Sequence, residues 1–173
     1  MDVVMVVLRM LHIVGGIVWV GAAWTFFFFV QPTLIALGLD AQNRFMSYVT
    51  TARRLTLVIT VAAFSTVGAG IALYLIDVSR TGVDAWFKSP FGIGLSIGAI
   101  AALITFVLGP TRISPTADRM GKLGAEMVAA GAGATDAQRD EMAQLGARIK
   151  RYLTIDSALL AVAVVCMATS RYL

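Results

Sequence analysis

The sole histidine of the chain, His12, lies in a run of residues that prefer lipid to water, VVMVVLRMLHIVGGIVWVGAAWTFFFFV, from Val3 to Val30. Ionisable groups are costly inside a bilayer and usually face the protein interior, a water-filled path or a ligand. Arg9 is the second such group in the run. On a helix, Met5, Arg9, His12, Gly16, Trp19, Ala23 and Phe26 advance by three or four residues and form one stripe. His12 stands about 9 residues into the run, roughly 13 Å along the axis, which is well inside one leaflet.

A neutral imidazole at that depth can bind iron or copper through one nitrogen while its other N–H is held by a carbonyl or hydroxyl. Gly15 and Gly16 would leave room for a flat macrocycle beside the helix, and Arg9, one turn nearer the surface, suits a haem propionate. A second reading is equally open: His12 hydrogen-bonds across helices, Arg9 snorkels to headgroups and the glycines pack helices. The aromatics Trp19, Trp24 and Phe26 to Phe29 read as lipid-facing and interfacial.

Other residues could join this chemistry. Gly94, Gly98 and Ala102 repeat every four residues and allow close approach of a helix or a flat cofactor. Cys166 and Met167, with Met5, are soft donors suited to copper(I), although adjacent helical residues point about 100° apart and also fit ordinary packing. Gly70 and Tyr74 of the second span share the depth of His12. Asp156, near the opposite boundary, could carry protons or pair with Arg53, Arg54 or Arg112. No Gly-rich phosphate loop, paired metal-ligand motif on one helix or hydrolase triad is present, so no catalytic residue is assigned.

The elements that position these residues follow from hydrophobic length, since about 20 apolar residues cross a hydrocarbon core. Spans are expected at about 3–30, 55–76, 91–108 and 153–169. Gln31-Pro32 and Gly109-Pro110 read as the ends of the first and third spans. Asp40 reads as the cap of an interfacial helix over Ala41 to Thr51, with Phe45, Tyr48, Val49 and Ala52 on one face, and Trp86 with Phe87 as an interfacial anchor. Between the third and fourth spans, about 114–151, the charged stretch predicts a helical hairpin, its first limb carrying Met120, Leu123 and Met127 and its second Met142, Leu145 and Ile149 on one side. Ser114-Pro115 would start it, Gly131-Ala132-Gly133 would turn it, and Thr135 or Asp136 would cap its second limb, which can continue into the last span.

The fold class is therefore all-α, an integral membrane four-helix bundle in a single domain. Composition agrees: 58% of the 173 residues are hydrophobic and 14% charged, against about 25% charged in soluble domains. The net charge of +4 does not point to nucleic acid, because the basic residues cluster beside hydrophobic ends. The first and third connections hold ten of the 14 Lys and Arg residues. The positive-inside rule therefore predicts cytoplasmic connections there, including the hairpin, with both termini outside. The Met1-Asp2 start and the long apolar run predict a retained first span rather than a cleaved leader. One cysteine excludes an internal disulfide and a multi-cysteine metal cluster within one chain.

The string LHIVGGIVWVGAAWTFFFFVQP carries Leu-His, six residues, Trp, one residue, Gly, then aromatics and a Pro. It resembles the opening helix of the small bacterial membrane proteins that include copper-resistance D-type domains and HemJ-type protoporphyrinogen oxidases. The resemblance covers about the first 32 residues and the four-span plan. It implies a bacterial inner-membrane protein, with haem b at the position of His12 or, in the copper branch, a part in copper uptake. Thr33 follows Pro32 where the HemJ pattern has a basic residue, and Arg9 stands where it has a lysine, so the oxidase activity is not carried over.

Three functions remain open. The first is haem b binding for electron transfer or redox chemistry, with His12 as axial ligand and the other position empty or taken by Met, a partner chain or a second copy of His12 in a homo-oligomer. The second is copper handling through His12 and nearby sulfurs. The third is an accessory subunit of a larger membrane complex within the lipid bilayer.

Overall fold

A computed structural model describes residues 3–130 and 135–172. All elements found there are helical: α1 (Val3–Leu37), α2 (Leu39–Ser47), α3 (Leu55–Thr81), α4 (Val83–Lys88), α5 (Pro90–Ala130) and α6 (Asp136–Tyr172). Four of them, α1, α3, α5 and α6, are long and apolar enough to cross a membrane. The chain is an all-α, multi-pass membrane protein.

The spans expected to stop at prolines do not. Helix α1 runs through Pro32 to Leu37, and α5 runs through Pro110 and Pro115 to Ala130. Both pass their prolines by way of a widened π-turn, Phe26–Val30 and Gly109–Ile113, in which the N–H of Gln31 reaches the Phe26 carbonyl and that of Ser114 reaches Gly109. Each turn ends just before an X–Pro pair, Gln31-Pro32 or Ser114-Pro115. Proline lacks an N–H and its ring clashes with the carbonyl four residues back, so one extra residue in the turn re-spaces the ladder there. Ser114 is consequently inside a continuous helix and caps nothing.

Real breaks fall elsewhere. Gly38 (φ 89°) separates α1 from α2, and Gly82 (φ 87°) separates α3 from α4. These left-handed conformations are cheap only for glycine. Gly38, not Asp40, holds the cap position of α2. Thr135 does cap α6: its Oγ1 accepts from the Gln138 N–H at 3.2 Å while Gln138 Oε1 accepts from the Thr135 N–H at 3.0 Å, a reciprocal capping box. The expected turn at Gly131-Ala132-Gly133 lies outside the described residues. Helix α6 continues from the hairpin into the last span without interruption.

The chain divides into two compact units. The first comprises Met1–Ala22, Val58–Phe106 and Ala158–Leu173. Its helices pack through small residues: Ala62, Ala63, Thr66 and Ala69 of α3 are buried, as are Gly98 and Ala101 of α5 and Ala163 of α6. Without a hydrophobic drive between helices in lipid, close backbone approach supplies the dispersion contact. Aromatic edges fill the wider gaps, with Phe106 T-shaped against both Trp19 (6.3 Å) and Phe64 (4.9 Å). Trp86, expected at the interface, is instead fully buried, and only Phe87 beside it is exposed.

The second unit comprises Ala23–Leu57 and Val107–Ser157. It contains the helical hairpin, whose limbs bury Leu123, Leu145, Ile149 and Leu153. Arg119 forks onto Glu141 across the hairpin, Nε to Oε1 at 2.7 Å and Nη2 to Oε2 at 2.8 Å. Helix α2 rests on α5 where Asn43 covers Gly124; a Cβ there would stand 2.7 Å from Asn43 Oδ1. Phe45, and Tyr48 just beyond the end of α2, are exposed, so the packed side of α2 is not the apolar face marked by spacing.

Candidate functional site

In the first unit, α1 meets α3 at His12. The ring Nδ1 lies 2.7 Å from the Thr66 carbonyl oxygen. A carbonyl only accepts, so Nδ1 carries the proton and Nε2 of the neutral ring keeps its lone pair. Among the described residues Nε2 has no hydrogen-bond partner. This tautomer is the one that presents Nε2 to a metal.

The approach depends on glycine. A Cβ on Gly70 would stand 2.8 Å from His12 Cε1 and 2.9 Å from Nδ1, so the imidazole lies directly on the backbone of α3. One turn along α1, a Cβ on Gly15 would stand 2.5 Å from Thr66 Oγ1 and 2.9 Å from the Ala62 carbonyl oxygen. Thr66 turns its own hydroxyl back to the Ala62 carbonyl at 2.8 Å, which leaves no unsatisfied hydroxyl beside the ring. Gly15 sets how close the helices come, and Gly70 gives the ring its place. Gly16 is roomier, since a Cβ there would meet Thr66 Cγ2 at an ordinary 3.6 Å.

The other residues singled out by sequence fall into separate groups. Arg9 is exposed and has no hydrogen-bond or ion-pair partner among the described residues. Met5 is buried. Gly98 is engaged in packing: a Cβ there would stand 3.1 Å from Met167 Cγ and 3.3 Å from Cys166 Cβ, so these two side chains bracket the glycine. Gly94 is half-buried on the same helix.

Tyr74 belongs to a half-buried polar chain. Trp86 Nε1 donates to the Tyr74 hydroxyl at 3.1 Å, Tyr74 and Ser96 hydroxyls lie 2.7 Å apart, and Ser96 donates to the Gly92 carbonyl at 2.7 Å. With the Ser96 proton committed to Gly92, the Tyr74 proton goes to Ser96. Every member is satisfied, which ties α4 to α3 and α5.

In the second unit, Asp156 is 7% exposed. The expected salt bridge to Arg53, Arg54 or Arg112 is not formed: among the described residues Asp156 has no hydrogen-bond or ion-pair partner. Asp156 lies on the buried stripe of α6 with Leu153 and Leu160, whereas the three arginines are exposed.

Sequence reasoning named His12 and set Gly70 at the same depth, but missed Thr66 as the partner of the ring and the seating of the ring on Gly70. The signal was the four-residue spacing of Thr66, Gly70 and Tyr74, which any packed membrane helix can carry.

Fold and site together define a multi-span helical membrane protein with one oriented imidazole between two spans. No family model, curated protein or solved structure matches the chain.

Proposed function

We propose that this is a haem b-binding protein of the bacterial inner membrane, serving electron transfer or redox chemistry, with His12 as axial ligand and Arg9 as partner of a propionate. The observation that supports this most is the orientation of His12: Nδ1–H held by the Thr66 carbonyl, Nε2 without a partner among the described residues, the ring seated on Gly70. The donor set agrees with it. A bare ion needs several protein donors, and among the described residues no group of three or more His, Cys, Asp or Glu could hold one. An iron already chelated by a macrocycle needs a single donor from this chain.

Haem b would supply a one-electron couple. The chain's own residues do the rest. The Thr66 carbonyl keeps the proton at Nδ1 and so leaves the Nε2 lone pair to meet a metal. Arg9, exposed and without a partner among the described residues, lies one turn away and can form a forked pair with a carboxylate. Gly16 is half-buried and less crowded than Gly15, a Cβ there meeting Thr66 at 3.6 Å. The resemblance of the opening helix and the excess of basic residues in the first and third connections support the same protein class, with a cytoplasmic hairpin and both termini outside.

The test is an absorption spectrum with metal analysis of the protein purified from its native membrane. A Soret band that disappears in His12→Ala is expected. Bound copper without haem would replace this function with copper handling. Neither cofactor in fully loaded native protein, with tight co-purification of other subunits, would replace it with an accessory role.

A further inference from the structure

The segment between α2 and α3 presents two adjacent arginines, Arg53 and Arg54. Arg53 and Arg54 are both exposed, and neither has a carboxylate partner among the described residues. Asp40, the acidic residue of α2, is taken by Arg44 at 3.1 Å. Asp156, the carboxyl expected to meet them, is buried and has no partner among the described residues. The Arg53 guanidinium lies 5.5 Å from the centroid of the Tyr48 ring, and Tyr48 is itself 54% exposed. Stacking occupies the face of a guanidinium and leaves its N–H edge free to donate. Arg54 holds φ 50°, the one left-handed non-glycine residue described, at a position where glycine would sit without strain. The next residue, Leu55, begins the apolar span α3, so this turn stands at the membrane boundary.

From this we infer that the Tyr48–Arg54 turn is a binding site for the headgroup phosphate of an anionic phospholipid. Tyr48 and Phe45 reach the interfacial layer as exposed aromatics, Arg53 is steadied on Tyr48, and Arg53 and Arg54 donate to phosphate oxygens. The pairing also accounts for an arginine being kept where the backbone favours glycine. The side chain serves a partner outside the chain.

The test compares the full chain in nanodiscs of phosphatidylcholine alone and of phosphatidylcholine with phosphatidylglycerol, and counts retained lipid by native mass spectrometry. Wild type should melt higher in the anionic disc and retain phosphatidylglycerol. Arg54→Gly should melt no lower than wild type in the neutral disc, because its backbone strain is relieved, yet retain about fivefold less phosphatidylglycerol. The double variant Arg53→Gln/Arg54→Gln should lose about fivefold more. Inorganic phosphate added to the neutral disc should not reproduce the stabilisation. The proposal falls if wild type shows no preference for the anionic lipid, if both variants keep the wild-type preference, or if free phosphate stabilises as well as the lipid does.

Discussion

His12 and Thr66, 54 positions apart in sequence, are joined by a 2.7 Å hydrogen bond from the imidazole Nδ1 to a main-chain carbonyl oxygen of the neighbouring span. The acceptor is backbone, so no side-chain substitution at Thr66 removes it. What can be removed is the space in which the bond forms, and that space is Gly70.

Gly70→Ala should therefore displace the ring, because the added Cβ would stand 2.8 Å from Cε1. Nitrogen NMR of labelled imidazole reads this directly: the Nδ1–H tautomer signal of wild type should broaden or shift, and any Soret band should weaken. Gly68→Ala is the control, with nothing within 4 Å of its added Cβ. Equal spectra for the two variants would show that the ring does not depend on Gly70.

Gly15 and Gly16 are neighbours with opposite expectations. At Gly15 an added Cβ is blocked by the Ala62 carbonyl oxygen at 2.9 Å, so α1 and α3 must separate at a cost of about 1–3 kcal/mol. At Gly16 the nearest atom is at 3.6 Å, and alanine favours the helix. Thermal melts in detergent should place Gly15→Ala below wild type and Gly16→Ala at or above it; the reverse order would mean that the helices pack on a different face.

The Arg119 guanidinium beside Glu141 holds its carboxyl below the usual carboxylate range. A depressed folded value means that the pair's contribution is present above the ordinary carboxylate range and lost as pH falls through the lowered value. Amide exchange along the hairpin limbs should accelerate at that acid limb, modestly since the pair is exposed, and more so at low salt than at high salt. Glu141→Gln should abolish the pH-dependent part. A profile that Glu141→Gln leaves unchanged would assign the acid sensitivity to another group.

Hydrophobic length alone was enough to mark four spans, because the bilayer demands about 20 apolar residues whatever the packing. Helical period marked the hairpin, and Leu123, Leu145 and Ile149 are buried as their spacing required. Capping at Thr135 was legible for the same local reason. Proline was misleading: Pro32 and Pro115 each follow a π-turn, and a single extra residue in the ladder is a local rearrangement with no compositional mark.

What sequence determined by itself was the class of protein, the number of spans and the residue out of place, His12. These depend on the cost of exposing apolar or ionisable groups to the wrong solvent, a property each residue carries wherever it sits. Tertiary structure decided the partners: Gly15 rather than Gly16 at the helix contact, Gly70 under the imidazole, Trp86 buried rather than interfacial, Asp156 apart from the arginines. Those choices depend on the rotation and crossing of helices brought together from distant parts of the chain. A glycine looks the same in sequence whether a ring, a backbone or lipid lies against it.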